Sequence, residues 1–198
     1  MTLDQFRPQV GKLLRPLTGA CIRAGLTPNS FSVMAFLASV AGGFAFARGE
    51  VLAATALVAV NALFDSLDGA IARQMQVAST RGDFLDHVLD RYADIFIITG
   101  IFAGGTTSWI IGVFGLTGVL MSSYLGTQAQ AVGIGRYYGG TLGRADRLVL
   151  IVIAGILTLW VPGGIAGLSF LGWLLVVFGF FGHATAIQWF FHVWGKIR

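Results

Sequence analysis

Apolar runs close to the roughly 20 residues that span a bilayer recur along the whole 198-residue chain. They fall at about 30–47, 51–72, 84–104, 108–132, 147–161 and 165–191. In hydrocarbon a backbone must satisfy its own hydrogen bonds, and a helix does so within one segment. The reading is therefore an all-α, polytopic membrane protein with six transmembrane helices. Composition agrees, at 56% hydrophobic and 11% charged, against about 25% charged in an average soluble domain. The third run is unusual: Asp86, Asp90, Arg91 and Asp94 occupy its first half, and it is apolar only from Ile95 to Phe102. The single cysteine, Cys21, excludes an internal disulfide framework and multi-thiolate metal sites. No cleavable signal is expected, because the N-terminus is charged and no short apolar run with a cleavage site follows it.

The opening segment, 3–24, has a different pattern. Phe6, Val10, Leu13, Leu14, Leu17 and Cys21 share one side at helical spacing, and Lys12, Arg15 and Arg23 lie elsewhere. That predicts an amphipathic helix lying in the membrane surface. The expected organisation is one domain over 1–198, with a juxtamembrane helix at 1–26 and a six-helix bundle at 30–191. Arg and Lys in short loops set the orientation. Arg7, Lys12, Arg15 and Arg23, then Arg73 and Arg81, then Arg136, Arg144 and Arg147, then Lys196 and Arg198 all fall on one side of six spans. The opposite side offers only Arg48. Both termini and the loop after the second span are thus expected in the cytoplasm, in a multi-pass protein of the cell membrane. The net charge of +4 follows from this rule and from anionic headgroups, and gives no basis for a nucleic-acid partner.

The acids are concentrated. Six of the nine, Asp65, Asp68, Asp83, Asp86, Asp90 and Asp94, fall between 65 and 94. Carboxylates at membrane depth persist only with partners, and the nearby cations, Arg73, Arg81 and Arg91, are too few. A bound cation supplies the missing charge. Asp65 and Asp68 are i, i+3 near the end of the second span; Asp86 and Asp90 are i, i+4 near the start of the third. Each pair shares a helix face. Antiparallel helices with a short connection bring the pairs to one depth, as an all-oxygen site for Mg²⁺, Mn²⁺ or Ca²⁺. Four carboxylates can hold two ions, an arrangement used against phosphate esters. Gly69 and Ala72 leave room on the helix face, Arg73 offers a fork for phosphate oxygens, and Ser79 or Thr80 can bind phosphate or cap the helix that Gly82 opens.

Written out, the stretch is Asp65-x2-Asp68-Gly69-x2-Ala72-Arg73-x8-Gly82-x3-Asp86-x3-Asp90. It closely resembles the signature of the CDP-alcohol phosphotransferase family, with all eight signature residues matched. The surface helix, the Thr27-Pro28-Asn29 lead-in to the first span and six spans in about 200 residues resemble the family's plan. The resemblance implies transfer of a phosphatidyl-type group from a CDP-linked lipid, CDP-diacylglycerol or CDP-archaeol, to a small polar alcohol, with release of CMP. It implies that Asp65, Asp68, Asp86 and Asp90 bind two divalent ions, Mg²⁺ or Mn²⁺, and that Asp90 is the general base. Asp65, Asp68, Gly69, Ala72, Arg73, Thr80 and Gly82 would contact the CDP moiety. A homodimer would fit the family.

The acceptor is less legible. "DHVLDRYAD" is similar to the archaeal and bacterial branch that makes inositol-phosphate and glycerophosphate lipids. Its inositol-phosphate members carry a stretch resembling Ser-Tyr-x-Lys/Arg-Ala-Arg-Ala-Glu in span four; here Ser123 and Tyr124 are kept, and Gly126 and Gln128 replace the basic residues. Near the end, Gln188-Trp189 stands where such members have Gln-Arg. These departures remove cations that would meet a second phosphate, and they favour glycerol phosphate, with inositol phosphate or serine as alternatives. Ser123, Gln128, Arg144 and Arg147 are the candidate acceptor residues, Arg144 foremost. Gln128 and Gln130 are equally suited to interhelical bonds.

His87 is i+1 from Asp86 and is expected to face away from the acids. Asp83 suits the helix N-terminus, and Asp94 is expected to pair with Arg91 or a helix neighbour. Gly100, Gly104, Gly112, Gly115 and Gly118 predict close helix packing in spans three and four. A cation transporter is the alternative class, but neither an internal repeat nor midplane acids support it. Membrane prenyltransferases also oppose Asp-rich motifs, yet they open on Asn-Asp, whereas Asn61 lies four residues before Asp65.

Overall fold

The structure, a computed structural model, describes residues 7–77, 79–135 and 142–197. The described residues form seven helices: α1 Arg7–Arg23, α2 Pro28–Ala47, α3 Val51–Met75, α4 Thr80–Ala103, α5 Trp109–Ala131, α6 Arg144–Trp160 and α7 Phe170–Trp194. Four of them, α2, α3, α5 and α7, are long and apolar enough to cross a membrane. The remaining two expected runs fall short for physical reasons. Charges fill the first half of α4, and α6 has 17 residues with charges in its first turn, about 25 Å of helix.

Helix ends follow local chemistry. Thr27 caps α2 with Pro28 at its start, and the Ser79 hydroxyl accepts from Gly82 N at 3.1 Å to start α4. That start lies four residues before the expected one, because the cap precedes the apolar pattern. Gln76 adopts a left-handed conformation, φ 55°, and ends α3. The last run was expected from 165. Residues 164, 166 and 167 all have positive φ, Ile165 and Leu168 bond each other across a turn, and α7 begins only after Ser169 caps it.

α2 packs on α3 and α4, α5 on α7, and α3 on α6, with α1 laid against α3. The apolar core, with Phe46, Val58, Ile97, Ile101, Leu175 and Phe178, lies in the halves of the helices away from the acids. The glycines set its dimensions. A Cβ on Gly100 would collide with the Gly43 carbonyl oxygen, and one on Gly104 with that of Phe46, so α4 crosses α2 backbone to backbone. On α5, Cβ atoms at Gly115 and Gly118 would press on the Leu175 and Gly179 carbonyls of α7, both at 2.8 Å. The close packing expected at these glycines is therefore formed within the chain.

α1 contributes Leu14, Cys21 and Ile22 to a smaller cluster around Phe31, Leu67 and Ile71. Thr18, fully buried between them, donates to Gln74 at 2.6 Å. Val10, Leu13 and Leu17 remain exposed on the other side.

Candidate active site

α3 and α4 are joined by a connection of four residues, 76–79, so the end of one and the start of the other share a level. Asp65, Asp68 and Asp86 each offer an oxygen, and these lie within 4.8 Å of one another. Three hard oxygen donors at that separation fit a divalent cation with oxygen preference. Asp68 is the deepest of the three. Ser32 of α2 donates to its Oδ2 at 2.9 Å. Sequence reasoning did not find Ser32, because a serine in an apolar helix carries no spacing signal.

Asp90 sits one turn after Asp86 and is bound differently. Arg144, at the first position of α6, pairs with both Asp90 and Asp65. Its guanidinium thus lies between the two acidic helices, and its Nε is buried without a partner. Arg147 goes elsewhere: it is buried and pairs with Asp94 at 2.9 Å, which Arg91 also reaches at 3.2 Å. The two arginines of "GRADRL" therefore have distinct surroundings, and Asp94 has the Arg91 neighbour its spacing predicts together with Arg147 from α6, which no spacing predicts. Asp146 accepts from Gly143 N at 2.7 Å, closing the start of α6.

Arg73 is exposed on α3 and folds back, Nη1 3.1 Å from where a Cβ of Gly69 would stand. A Cβ at Gly82 would lie 3.3 Å from Ser79 Oγ and 3.4 Å from Asn29 Oδ1, which brings the Thr27-Pro28-Asn29 lead-in beside the start of α4. Ser79 performs the capping, Thr80 is exposed at the first helical position, and Ala72 is half-buried on α3. Arg91 donates to Ser123, tying α5 to the site. Gln128 is exposed on α5. His87 bonds the Asp83 carbonyl at 2.7 Å, facing its own helix start. Arg136 lies outside the described residues.

Gly126 and Trp189 form one unit. A Cβ on Gly126 would run into the six-membered ring of Trp189, which is buried. The two departures seen in the sequence are thus reciprocal: the indole fills the space that a side chain at 126 would take. Gly126→Ala is expected to lower the unfolding temperature in the native background. It should have no further effect in Trp189→Ala, with a coupling of about 0.5–3 kcal/mol. Thermal unfolding of the four proteins of the cycle checks this, and additive shifts would refute the contact.

The sequence profile of the family described as CDP-alcohol phosphatidyltransferase matches residues 25–194. The archaetidylinositol phosphate synthase of Methanothermobacter thermautotrophicus is 33% identical, with 99% of this chain and 96% of that protein covered. The crystal structure of Mycobacterium tuberculosis phosphatidylinositol phosphate synthase with CDP-DAG bound superposes with a TM-score of 0.79 at 26% identity, covering 92% of this chain and 94% of that one. The same synthase in complex with manganese and citrate gives 0.77 at 26%, covering 90% and 88%.

Proposed function

Because the chain belongs to the CDP-alcohol phosphatidyltransferase family, we propose that it transfers the phosphatidyl-type group of a CDP-linked lipid to inositol phosphate, releasing CMP. The observation that carries this is the convergence of Asp65, Asp68 and Asp86 inside the eight-residue motif. Two features support the acceptor. The relatives named above are inositol-phosphate lipid synthases, and Arg144 brings a cation to the acid cluster from α6, while Arg91 on α4 pairs with Asp94 and donates to Ser123. The glycerol phosphate acceptor favoured in the sequence analysis gives way on these grounds. α5 lacks cations at 126 and 128, and Arg91 beside Ser123 supplies one from α4. A cation transporter is set aside by the family.

Asp65, Asp68 and Asp86 hold the first divalent ion, Mg²⁺ or Mn²⁺, and Asp90 joins them for a second. The ions neutralise charge on the diphosphate when bound. Arg73, over Gly69, meets the donor phosphate. Gly69, Ala72, Thr80 and Gly82 border the nucleotide, where any larger side chain would obstruct it. Asp90 takes the proton from the acceptor hydroxyl. The resulting oxygen attacks the lipid-bearing phosphorus, its bond to the CMP oxygen breaks, and CMP leaves. Arg144 meets the acceptor's phosphate, and Ser123, bound by Arg91, offers a hydroxyl from α5. Arg147 is reassigned from acceptor contact to holding Asp94.

The whole chain is one integral membrane domain. All six helices from α2 to α7 cross the bilayer, α4 and α6 with their charged first turns gathered at the acid cluster, and the exposed Val10, Leu13 and Leu17 of α1 lie in its surface. The acid cluster lies at the same end as Arg73 and Arg81, which supports a cytoplasmic active site with both termini on that side. A homodimer would use a surface other than Gly100, Gly104, Gly115 and Gly118, since these are occupied within the chain.

CMP release by the purified protein in lipid tests this reading. The donors are CDP-lipids with ester-linked and ether-linked chains, and the acceptors are inositol phosphate, glycerol phosphate, inositol and serine. Release is expected with inositol phosphate. Release with glycerol phosphate in its place would restore the first acceptor, and metal-independent release would remove the metal assignment.

A further inference from the structure

α2 carries three serines. Ser30 bonds Thr27 at 2.9 Å, and Ser39 donates to the Phe36 carbonyl at 2.6 Å; both stay within their own helix end or turn. Ser32 lies 3.4 Å from the Pro28 carbonyl but 2.9 Å from Asp68 Oδ2 on α3. A hydroxyl has one proton to donate, and the shorter, charge-assisted bond takes it. Both side chains are buried, so no bulk water competes.

We infer that Ser32 is a positioning residue for the metal site, fixing the rotamer of Asp68 from a neighbouring helix. The inference rests on the metal reading above. A hydroxyl suits this task where a cation would not. It fixes one carboxylate oxygen without cancelling the charge that attracts an ion, and it leaves the other oxygen's lone pairs free. Arg144, by contrast, brings a positive charge to the oxygens it touches on Asp65 and Asp90. The hydroxyl's own placement is determined upstream: the Thr27 cap accepts from Ser30 N and fixes the first turn of α2. Deeper in the bundle, Asn61 Nδ2 donates to the Ala35 carbonyl at 2.7 Å, so α2 and α3 are pinned at two levels along one face. Asp68 is thereby held with little rotamer freedom left to lose when an ion binds. Partners that orient a metal ligand in this way are typically worth about 10–100-fold in metal affinity.

The test is Mn²⁺ titration of the full chain in phosphatidylcholine nanodiscs, read by the electron paramagnetic resonance of free Mn²⁺. Ser32→Ala is expected to weaken binding about 10–100-fold, and Ser32→Thr, which restores the hydroxyl, to recover most of it. The unfolding temperature of Ser32→Ala without metal is read beside it, because losing a buried donor lowers stability in Ser32→Ala, whereas the Mn²⁺ titration reads the positioning of Asp68. Asp68→Asn is the reference. If Ser32→Ala binds Mn²⁺ like the native chain while Asp68→Asn does not, the positioning role is overturned and the metal site stands. If the native chain and Asp68→Asn bind alike, the metal reading itself fails. Weakened binding that Ser32→Thr leaves unrepaired would also overturn the inference.

Discussion

Asp90→Asn should lower the rate of CMP release by about 10²–10⁴-fold, the range that a positioned proton acceptor contributes, and leave the unfolding temperature nearly unchanged. Asparagine keeps the size of the side chain, and Arg144 retains its pairing with Asp65. What is lost is the basic oxygen. The same substitution one helical turn on should behave in the opposite way. Asp94 is buried and is shared by Arg147 and Arg91, so Asp94→Asn removes the countercharge of a buried guanidinium, a change that typically costs about 3–5 kcal/mol. The expected pair of results is a stable, inactive Asp90 variant and a destabilised Asp94 variant with turnover near native at low temperature. Turnover assays and thermal unfolding on both proteins check it. An Asp90→Asn protein with native turnover would remove the general base, and an inactive Asp94→Asn protein of native stability would move the chemistry to Asp94.

The second large effect is expected from a single methyl group. Gly100→Ala places a Cβ against the Gly43 carbonyl oxygen, and because the obstacle is backbone, α2 and α4 must move apart. Forced overpacking costs about 1–3 kcal/mol and more where nothing can yield. The displacement would also shift α2, which carries Ser32, relative to α4, which carries Asp86 and Asp90. Gly19→Ala in α1, where nothing lies within 4 Å of the new Cβ, is the matched control. By helix propensity it should gain up to about 1 kcal/mol. Unfolding temperatures of the two variants in one detergent would decide the matter, and a neutral Gly100→Ala would mean that the α2–α4 crossing is looser than described.

The aspartates were legible because two periodicities act together. Spacings of three and four put each pair on one face, and a four-residue connection leaves the two faces no choice but to meet at one level. Hydropathy marked α2, α3, α5 and α7 as spans, while the starts of α4, α6 and α7 follow caps and charges that the apolar pattern does not show. Ser32, Arg91 with Ser123, and Gly126 with Trp189 were not legible in the same way. Each joins positions 32 or more residues apart, and no local pattern links them. Gly126 and Trp189 each read as the loss of a cation, since a sequence displays what is missing at a position and not what has moved in to fill it. The glycines on α4 and α5 announced close packing, yet their partners, α2 and α7, depend on which faces the other helices leave open. The delayed start of α7 has a partial mark in Gly164 and Gly167, and only the positive φ at Ala166 has no compositional sign.

The two kinds of glycine contact differ in what can repair them. When a side chain appears at Gly126, the obstacle is the indole of Trp189, and a smaller residue at 189 can make room. When one appears at Gly100 or Gly104, the obstacle is a carbonyl of α2, and every amino acid has that carbonyl. A genetic search for second-site suppressors should therefore recover compensating changes at 189 for lesions at 126. For lesions at 100 or 104 it should return only the glycine codon itself. The α2–α4 crossing can be inherited intact or lost, with no intermediate path of paired substitutions between those ends.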